Sequence, residues 1–165
     1  MLADLPKMLR CQEAKASRML QLGESHIYPL THFVEQLRES AGPGAEIPYF
    51  DPWDGGVDAE ALFLLEAPGA KAVASGFISR NNPDETAKNM FDLGVEAGIG
   101  RKRTVLWNVV PWYIGSGTKI RAATPLDLEA GLQPLPRLLA LLPKLRTVVL
   151  LRSEEHTSEL QSPSG

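Results

Sequence analysis

Apolar residues recur at helical spacing in the first forty residues, and this pattern predicts two helices there. In the second helix, four residues follow the i, i+3, i+4, i+7 pattern of one buried face: Leu30, Phe33, Val34 and Leu37. Pro29 stands near its first turn, where the missing N–H does no harm. The stretch 41–56 is rich in glycine and proline and has no apolar period, so we expect a loop.

Three short apolar runs beyond this loop predict buried strands at 61–65, 104–110 and 147–151. A helix is expected from about Pro83, with Asn82 as its N-cap and Gly98 at its end. Its predicted buried face consists of Ala87, Met90, Phe91, Gly94 and Val95.

A second helical stretch is predicted after the second strand. Thr124 and Pro125 open it, Gly131 and Pro134 interrupt it, and 135–142 continue it. Buried strands that alternate with helices favour parallel pairing with right-handed crossovers. The predicted fold class is therefore α/β, a three-layer sandwich with a central parallel sheet.

Composition narrows the class of protein. A chain of 165 residues with 44% hydrophobic content suits a single globular domain. Cys11 is the only cysteine, which excludes a disulfide framework and an iron–sulfur cluster with cysteine ligands. No apolar run has the length of a membrane span. We expect a cytoplasmic, bacterial-type monomer with no membrane association, metal or cofactor.

The formal net charge of −3 conceals a local basic strip. Residues 101–121 contain five cations and no acid: Arg101, Lys102, Arg103, Lys119 and Arg121. Such a strip is suited to binding phosphates, and it is also typical of a solvated loop face.

The end of the chain has a different character. Residues 152–165 have no core-facing period, and 152–162 resemble the conceptual translation of a widely used sequencing-adapter oligonucleotide. We therefore expect 152–165 to be a non-native tail. The predicted domain is 1–151, with N-terminal helices in 1–46 and an α/β core in 47–151 that is truncated after its third strand.

Chemically distinctive residues stand where the predicted strands end. Glu66 and a Pro68–Gly69 turn follow the first strand, and Asn108 lies at the end of the second. The loop 75–82 between them carries Phe77 and Arg80. Ligands of open parallel sheets bind beyond the carboxyl ends of the strands. These groups suit a planar, polar heterocycle on a phosphate backbone, although each has a structural alternative. Glu66 could be a capped surface acid, Asn108 a satisfied structural amide, Phe77 a core aromatic and Arg80 a surface ion pair.

Three segments carry a resemblance to a known family. The segment 65–69, Leu-Glu-Ala-Pro-Gly, resembles the first motif of the uracil-DNA glycosylase superfamily, in the G-E-A-P-G form of its thermophilic-type branch. The segment 76–80, Gly-Phe-Ile-Ser-Arg, is similar to the loop that follows it in that branch. The segment 107–111, Trp-Asn-Val-Val-Pro, resembles the strand that reads the uracil edge. The resemblance covers roughly 47–151.

The resemblance implies a DNA-repair enzyme that hydrolyses the N-glycosidic bond of uracil in DNA. It implies that Glu66 orients or activates water and that Asn108 pairs with uracil. Phe77 would stack on the extruded base, and Ala67, Pro68 and Gly69 would contact it from the turn. We expect Arg80, Lys119 and Arg121 to contact DNA phosphates.

The chain departs from the family in several positions. Leu65 replaces the leading glycine, and Ala67 stands where other branches have an acid or amide that polarises water. The cluster cysteines and the final His-Pro-Ser motif have no counterpart, so the chain as written is expected to be inactive. A non-enzymatic α/β module that binds nucleotide or nucleic acid remains the alternative.

Overall fold

The computed structural model describes residues 2–116 and 119–151, with the side chains of residues 116–120 outside the description. Its helices are α1 (Gln12–Met19), α2 (Tyr28–Ala41), α3 (Ala70–Ser75), α4 (Glu85–Glu96), α5 (Pro125–Leu132) and α6 (Leu135–Ala140). Its strands are β1 (Tyr49–Phe50), β2 (Ala61–Leu65), β3 (Phe77–Ile78), β4 (Thr104–Asn108), β5 (Gly115–Ser116), β6 (Lys119–Ile120) and β7 (Thr147–Leu150). Single 3₁₀ turns lie at Met8–Arg10, Gly56–Asp58 and Arg101–Arg103.

The three predicted strands form one parallel sheet in the order β4-β2-β7. A second parallel pair joins β1 to β3, and β5 and β6 form an antiparallel hairpin. Helices and parallel sheets together confirm the α/β fold class. The two-residue strands were not predicted, because they are too short to show an apolar period.

One core cluster unites the N-terminal helices with the sheet. The predicted face of α2 packs in it with Leu62 and Leu64 of β2 and with Leu138 of α6. Three aromatic rings lie at its centre, where Phe50 stacks on Trp107 at 4.2 Å between centroids and Phe33 packs edge-on against Trp107 at 6.0 Å. The first forty residues therefore help to hold the sheet that carries the candidate site.

The third strand is not buried as predicted. In β7, Val148 is 45% exposed and Leu150 is 71% exposed. Among the described residues β7 pairs only with β2, so one of its edges has no neighbouring strand and its side chains lack a covering layer.

The start of α4 also differs from the prediction. The N-cap is Asp84, whose Oδ1 accepts a hydrogen bond from the N–H of Ala87 at 2.8 Å, and the helix begins at Glu85. Asn82 instead donates its side-chain N–H to the carbonyl of Phe77 at 2.8 Å. Of the predicted face of α4, Ala87 is buried and Met90, Phe91 and Gly94 are half-buried, with Met90 packed against the main core cluster. Val95 is 71% exposed, so the prediction is wrong at that position. The helix ends as expected, with Gly98 in the left-handed region at φ 70°.

Candidate functional site

Sheet register brings the ends of β2 and β4 together. Leu65 is the register partner of Asn108, and the N–H groups of Val109 and Val110 donate to the carbonyls of Leu65 and Glu66 at 2.8 and 2.9 Å. Neighbouring strands lie about 4.8 Å apart. Glu66 and Asn108, which were singled out from the sequence, are therefore adjacent at the carboxyl edge of the sheet.

The Asn108 side chain is the distinctive polar group of this edge. The residue is only 3% exposed, and its side-chain amide forms no hydrogen bond within residues 2–116 and 119–151. Its nitrogen and oxygen are not among the fully buried unsatisfied side-chain atoms of that part of the chain, so the amide can be reached from outside. A ligand that both accepts from and donates to this amide would satisfy it.

Glu66 is half-buried and is oriented by the backbone. Its Oε1 accepts a hydrogen bond from the N–H of Ala123 at 3.1 Å. Ala123 immediately precedes Thr124, which caps α5 through a reciprocal pair of hydrogen bonds with Asp127. The cap of α5 therefore determines where the Glu66 carboxylate lies.

The Pro–Gly turn connects β2 to α3. Pro68 is buried, whereas Ala67 and Gly69 are half-buried. Gly69 precedes α3 with an extended backbone, and an ideal Cβ placed on it would meet no heavy atom within 4 Å. The turn therefore has open space on its Gly69 side, next to Glu66.

Phe77 does not join Glu66 and Asn108. Its side chain is 0% exposed and packs with Leu9 and Ala14 in a second, smaller core cluster. β3, which carries it, pairs with β1 and belongs to a different sheet from β2 and β4. In this arrangement Phe77 is a core residue, and a base can stack on it only if the N-terminal segment moves.

Arg80 is also buried, and its contacts are internal. Its Nη2 donates to Thr104 Oγ1 at 2.6 Å, and its Nε lies 3.4 Å from Asp54 Oδ1. The structure thus places Arg80 where a DNA phosphate cannot reach it without rearrangement. The alternative considered from the sequence was a surface ion pair; Arg80 does face an acid, Asp54, but the pair is buried.

The predicted basic strip does not form one free surface. Arg101 is bound to Asp4, Asp51 and Asp54, and Arg103 is bound to Glu60. Arg121 is exposed and contacts Asp127 at 2.5 Å, a bond that holds the pKa of the Asp127 carboxyl well below its usual range. The Lys119 side chain lies outside the described part of the chain, as do residues 152–165.

A buried ionic network at the opposite end of β4 was missed by sequence reasoning. Arg18 Nη1 donates to Asp51 Oδ2 at 2.7 Å, and Arg101 donates to both Asp51 and Asp54 at 2.9 Å. Gly55 N–H donates to the carbonyl of Thr104, the first residue of β4. The network therefore lies at the amino edge of the sheet, about 13 Å of strand away from Asn108.

The two aspartates of this network have opposite pKa shifts. Burial raises the pKa of Asp54, and Arg101 and Arg80 only partly offset it. Burial acts in the same direction on Asp51, but Arg101, Arg18 and hydrogen bonds from Ser79 and the Trp53 N–H lower its pKa below the ordinary value. The sequence indicated this network only through two acids, Asp51 and Asp54, in a segment rich in proline and glycine. Nothing in their spacing identified Arg18 or Arg101 as their partners.

Two clefts are lined by described residues away from the ends of β2 and β4. One has a volume of about 370 Å³ and is lined by Arg38, Glu46 and Gly76 among others. The other has a volume of about 540 Å³ and lies between α2 and the α5–α6 junction. Glu66, Phe77 and Asn108 line neither of them.

Metal binding and membrane spanning each require a recognisable structural feature. No group of three or more His, Cys, Asp and Glu side chains within residues 2–116 and 119–151 is placed to hold a metal ion. In the same part of the chain, no helix combines the length and the apolar character needed to cross a bilayer.

Comparisons with known proteins leave the family open. The chain matches no protein-family model and no curated protein.

Proposed function

We propose that the intact form of this protein removes uracil from DNA by hydrolysing the N-glycosidic bond of deoxyuridine. The observation that carries the proposal is Asn108 at the carboxyl edge of a parallel sheet, a residue only 3% exposed whose amide has no hydrogen-bond partner among the described residues. The resemblance of the segments around Glu66, Phe77 and Asn108 to uracil-DNA glycosylases supports the same choice of substrate.

Asn108 matches uracil in both hydrogen-bonding directions. Its Nδ2 donates to O4 of the base, and its Oδ1 accepts from N3–H. Cytosine presents an amino donor and an unprotonated N3 at these positions, so it would face the same amide donor to donor and acceptor to acceptor. A site left with unpaired buried polar groups rejects a substrate strongly.

The substrate has to leave the DNA stack to reach this edge, at a cost of a few kcal/mol. The turn that follows Glu66 does not crowd its surroundings at Gly69, where an added Cβ would meet no heavy atom within 4 Å. The proposal does not depend on stacking by Phe77 or on a phosphate contact by Arg80, because both side chains are buried.

Glu66 is the residue we propose to orient the attacking water. The N1–C1′ bond breaks, its electron pair leaves with uracil as an anion, and the water oxygen bonds to C1′ while its proton passes to Glu66. The hydrogen bond from the Ala123 N–H to Oε1 helps to hold the carboxylate in place for this role.

The test is the release of uracil from a single-stranded oligonucleotide that contains one deoxyuridine. The protein should be produced from the locus resequenced past the codon for Leu151, because the sequence predicts that 152–165 are not native. We expect release of uracil but not of cytosine from a matched oligonucleotide. Uracil binding without release would support the non-enzymatic module instead, and the absence of both would overturn the proposal.

Substitution of Asn108 tests the assigned role directly. We expect Asn108→Ala to reduce uracil affinity by about 10- to 100-fold, as the loss of a base contact of about 1–3 kcal/mol implies. Asn108→Asp should abolish the preference for uracil over cytosine, because a carboxylate repels O4. Asn89, exposed on α4, provides the control, and Asn89→Asp should leave both properties unchanged. Equal effects of the substitutions at 89 and 108 would contradict the role.

A further inference from the structure

The 540 Å³ cleft has walls from three parts of the fold. Leu37 and Ala41 come from the last turns of α2, Trp112 comes from the segment after β4, and Pro134 and Arg137 come from the α5–α6 junction and α6. The volume lies within the range of about 300–1,000 Å³ that is typical of small-molecule sites. Leu37, Ala41 and Pro134 give the cleft an apolar wall, and the indole of Trp112 also lines it.

Three side-chain donors line this cleft without a hydrogen-bond or ionic partner among residues 2–116 and 119–151. They are the indole N–H of the half-buried Trp112 and two groups on exposed residues, the amide of Gln133 and the guanidinium of Arg137. Trp112 is half-buried, so part of its ring lies against the core while the rest faces the cleft. Three donors that face one cavity indicate an acceptor-rich ligand.

Arg137 is held in place without being neutralised. Its guanidinium carbon lies 5.3 Å from the centroid of the Phe33 ring, and no acid within the described residues pairs with it. A cation–π contact of this kind fixes the direction of the side chain and leaves its N–H groups able to bind an anion. The guanidinium fork matches the oxygens of a phosphate or carboxylate.

We propose that this cleft binds a nucleotide, with the base stacked on Trp112 and the phosphate bound by Arg137. A planar ring fits between the indole and the apolar wall of Leu37, Ala41 and Pro134. Base–aromatic stacking tolerates any base, since every base has a π-face. Gln133 is the nearest amide for the base edge or the sugar.

The nucleotide has two sources, a free mononucleotide or a residue of a DNA strand. Trp112 lies four residues after Asn108, on the segment that leaves β4, so one short segment links the cleft to the candidate base-reading residue. Under the proposed function, the cleft would hold a nucleotide of the strand other than the extruded one. Nucleotide binding itself does not require glycosylase activity.

The experiment measures binding of thymidine 5′-monophosphate, thymidine and an oligothymidylate octamer by calorimetry. We expect Arg137→Gln to weaken binding of the monophosphate by about 10- to 100-fold, the effect of losing a charge-assisted hydrogen bond of about 1.5–3 kcal/mol. Binding of thymidine, which lacks the phosphate, should change little. Arg146, exposed before β7, is the matched control, and Arg146→Gln should leave all three affinities unchanged.

Replacement of Trp112 by leucine tests the stacking contact while it keeps an apolar side chain against the core. We expect weaker binding of both thymidine and its monophosphate, and an unchanged melting temperature would separate this effect from unfolding. Loss of octamer binding in Arg137→Gln would identify a DNA strand as the source, and loss of monophosphate binding alone would identify a free nucleotide.

Two results would overturn the proposal. One is that neither thymidine 5′-monophosphate nor the octamer binds at millimolar concentration. The other is that the substitutions at 137 and 146 change the affinities equally. These measurements use neither uracil nor Asn108, so a failure of the glycosylase proposal and a failure of the nucleotide cleft are separate results.

Discussion

Asp51 and Asp54 show how two residues of one type, three positions apart, acquire opposite properties. Both side chains are buried, and both accept hydrogen bonds from Arg101. Asp51 also pairs with Arg18 and accepts from Ser79, so the charged form is favoured. Asp54 has an Oδ2 atom without a partner among the described residues, and burial disfavours its charged form.

This difference predicts unequal costs of neutralisation. Asp51→Asn leaves Arg18 and Arg101 buried with one carboxylate fewer, and should reduce the free energy of unfolding by about 3–5 kcal/mol. Asp54→Asn removes a charge whose burial is already unfavourable, and should cost about 1–3 kcal/mol, mainly for one unsatisfied amide N–H. Urea unfolding at pH 7 measures both. A larger loss for Asp54→Asn would contradict the pKa directions.

The same pair predicts a pH dependence. The folded-state pKa of Asp51 is depressed, so its stabilisation is present above the unfolded value of about 3.9 and is lost as pH falls through the folded pKa. The stability difference between wild type and Asp51→Asn should therefore shrink below about pH 4. Asp54 has a raised pKa, so its contribution falls as pH rises through that pKa. Unfolding of the two variants between pH 2.5 and 7 separates these trends, and parallel curves would contradict them.

For single residues, the sequence predicted the position of a side chain where a polar residue interrupts or ends an apolar strand. Asn108 interrupts an apolar strand and Glu66 ends one, and both lie at the predicted edge. Phe77 and Arg80 could not be assigned in this way, because an aromatic and a cation in a loop have the same local signature whether they are exposed or buried. Their burial depends on Leu9 and Asp54, which are distant in the sequence.

Among the elements, α5 contacts the candidate site most directly. Gly131 of α5 is buried against the backbone that follows Asn108, and an ideal Cβ on it would lie 2.2 Å from the Val109 oxygen and 2.9 Å from the Val110 Cα. The absence of a side chain at Gly131 thus allows the helix to pack against the end of β4. Sequence reasoning identified this glycine only as an interruption of a helix.

Gly131→Ala should therefore destabilise the protein although alanine is the better helix former. The methyl group meets backbone atoms that cannot rotate away, and overpacking of this kind costs about 1–3 kcal/mol. Because Val109 follows Asn108 directly, uracil affinity should fall as well. Gly94→Ala in α4 is the control, since its Cβ would meet Arg80 Nη1 at an ordinary 3.5 Å, and it should gain about 0.5–1 kcal/mol. Thermal unfolding that ranks the two variants the other way would contradict this packing.

Element prediction succeeded where local chemistry sets the boundary. Thr124 and Pro125 begin α5 because the Thr124 and Asp127 side chains cap it reciprocally. For α4, the sequence predicted Asn82 as the N-cap, but the Asn82 side chain donates to the Phe77 carbonyl and Asp84 caps the helix instead. A contact with β3 therefore decides which residue caps α4, and the local sequence features that mark a helix start carry no information about that contact.

On the scale of the whole molecule, the N-terminal segment belongs to the core. The Leu9 N–H donates to the carbonyl of Asn81 at 3.0 Å, and the Asn81 side chain donates to Asp4 and to the carbonyl of Leu5. Leu9 is fully buried against Phe77. The α/β class followed from the alternation of strands and helices, but this long-range closure did not, because it joins residues about 70 positions apart.

Leu9→Ala is expected to destabilise the fold by about 2–5 kcal/mol, since it leaves a cavity beside Phe77. Leu5, in the same segment, is 57% exposed, and Leu5→Ala should change stability by no more than about 0.5 kcal/mol. Chemical denaturation of both variants provides the measurement. Similar small effects at both positions would show that the segment is not part of the cooperative core.

The edge of β7 has a consequence for the behaviour of the protein in solution. Only its β2 side is hydrogen-bonded within the described residues, and Val148 and Leu150 are exposed beside it. Edge backbone groups of this kind template strand addition by another molecule, and apolar neighbours strengthen the contact. We therefore expect the protein to precipitate above a limiting concentration and the precipitates to be rich in intermolecular β-structure. The first contact between molecules should form along residues 147–150.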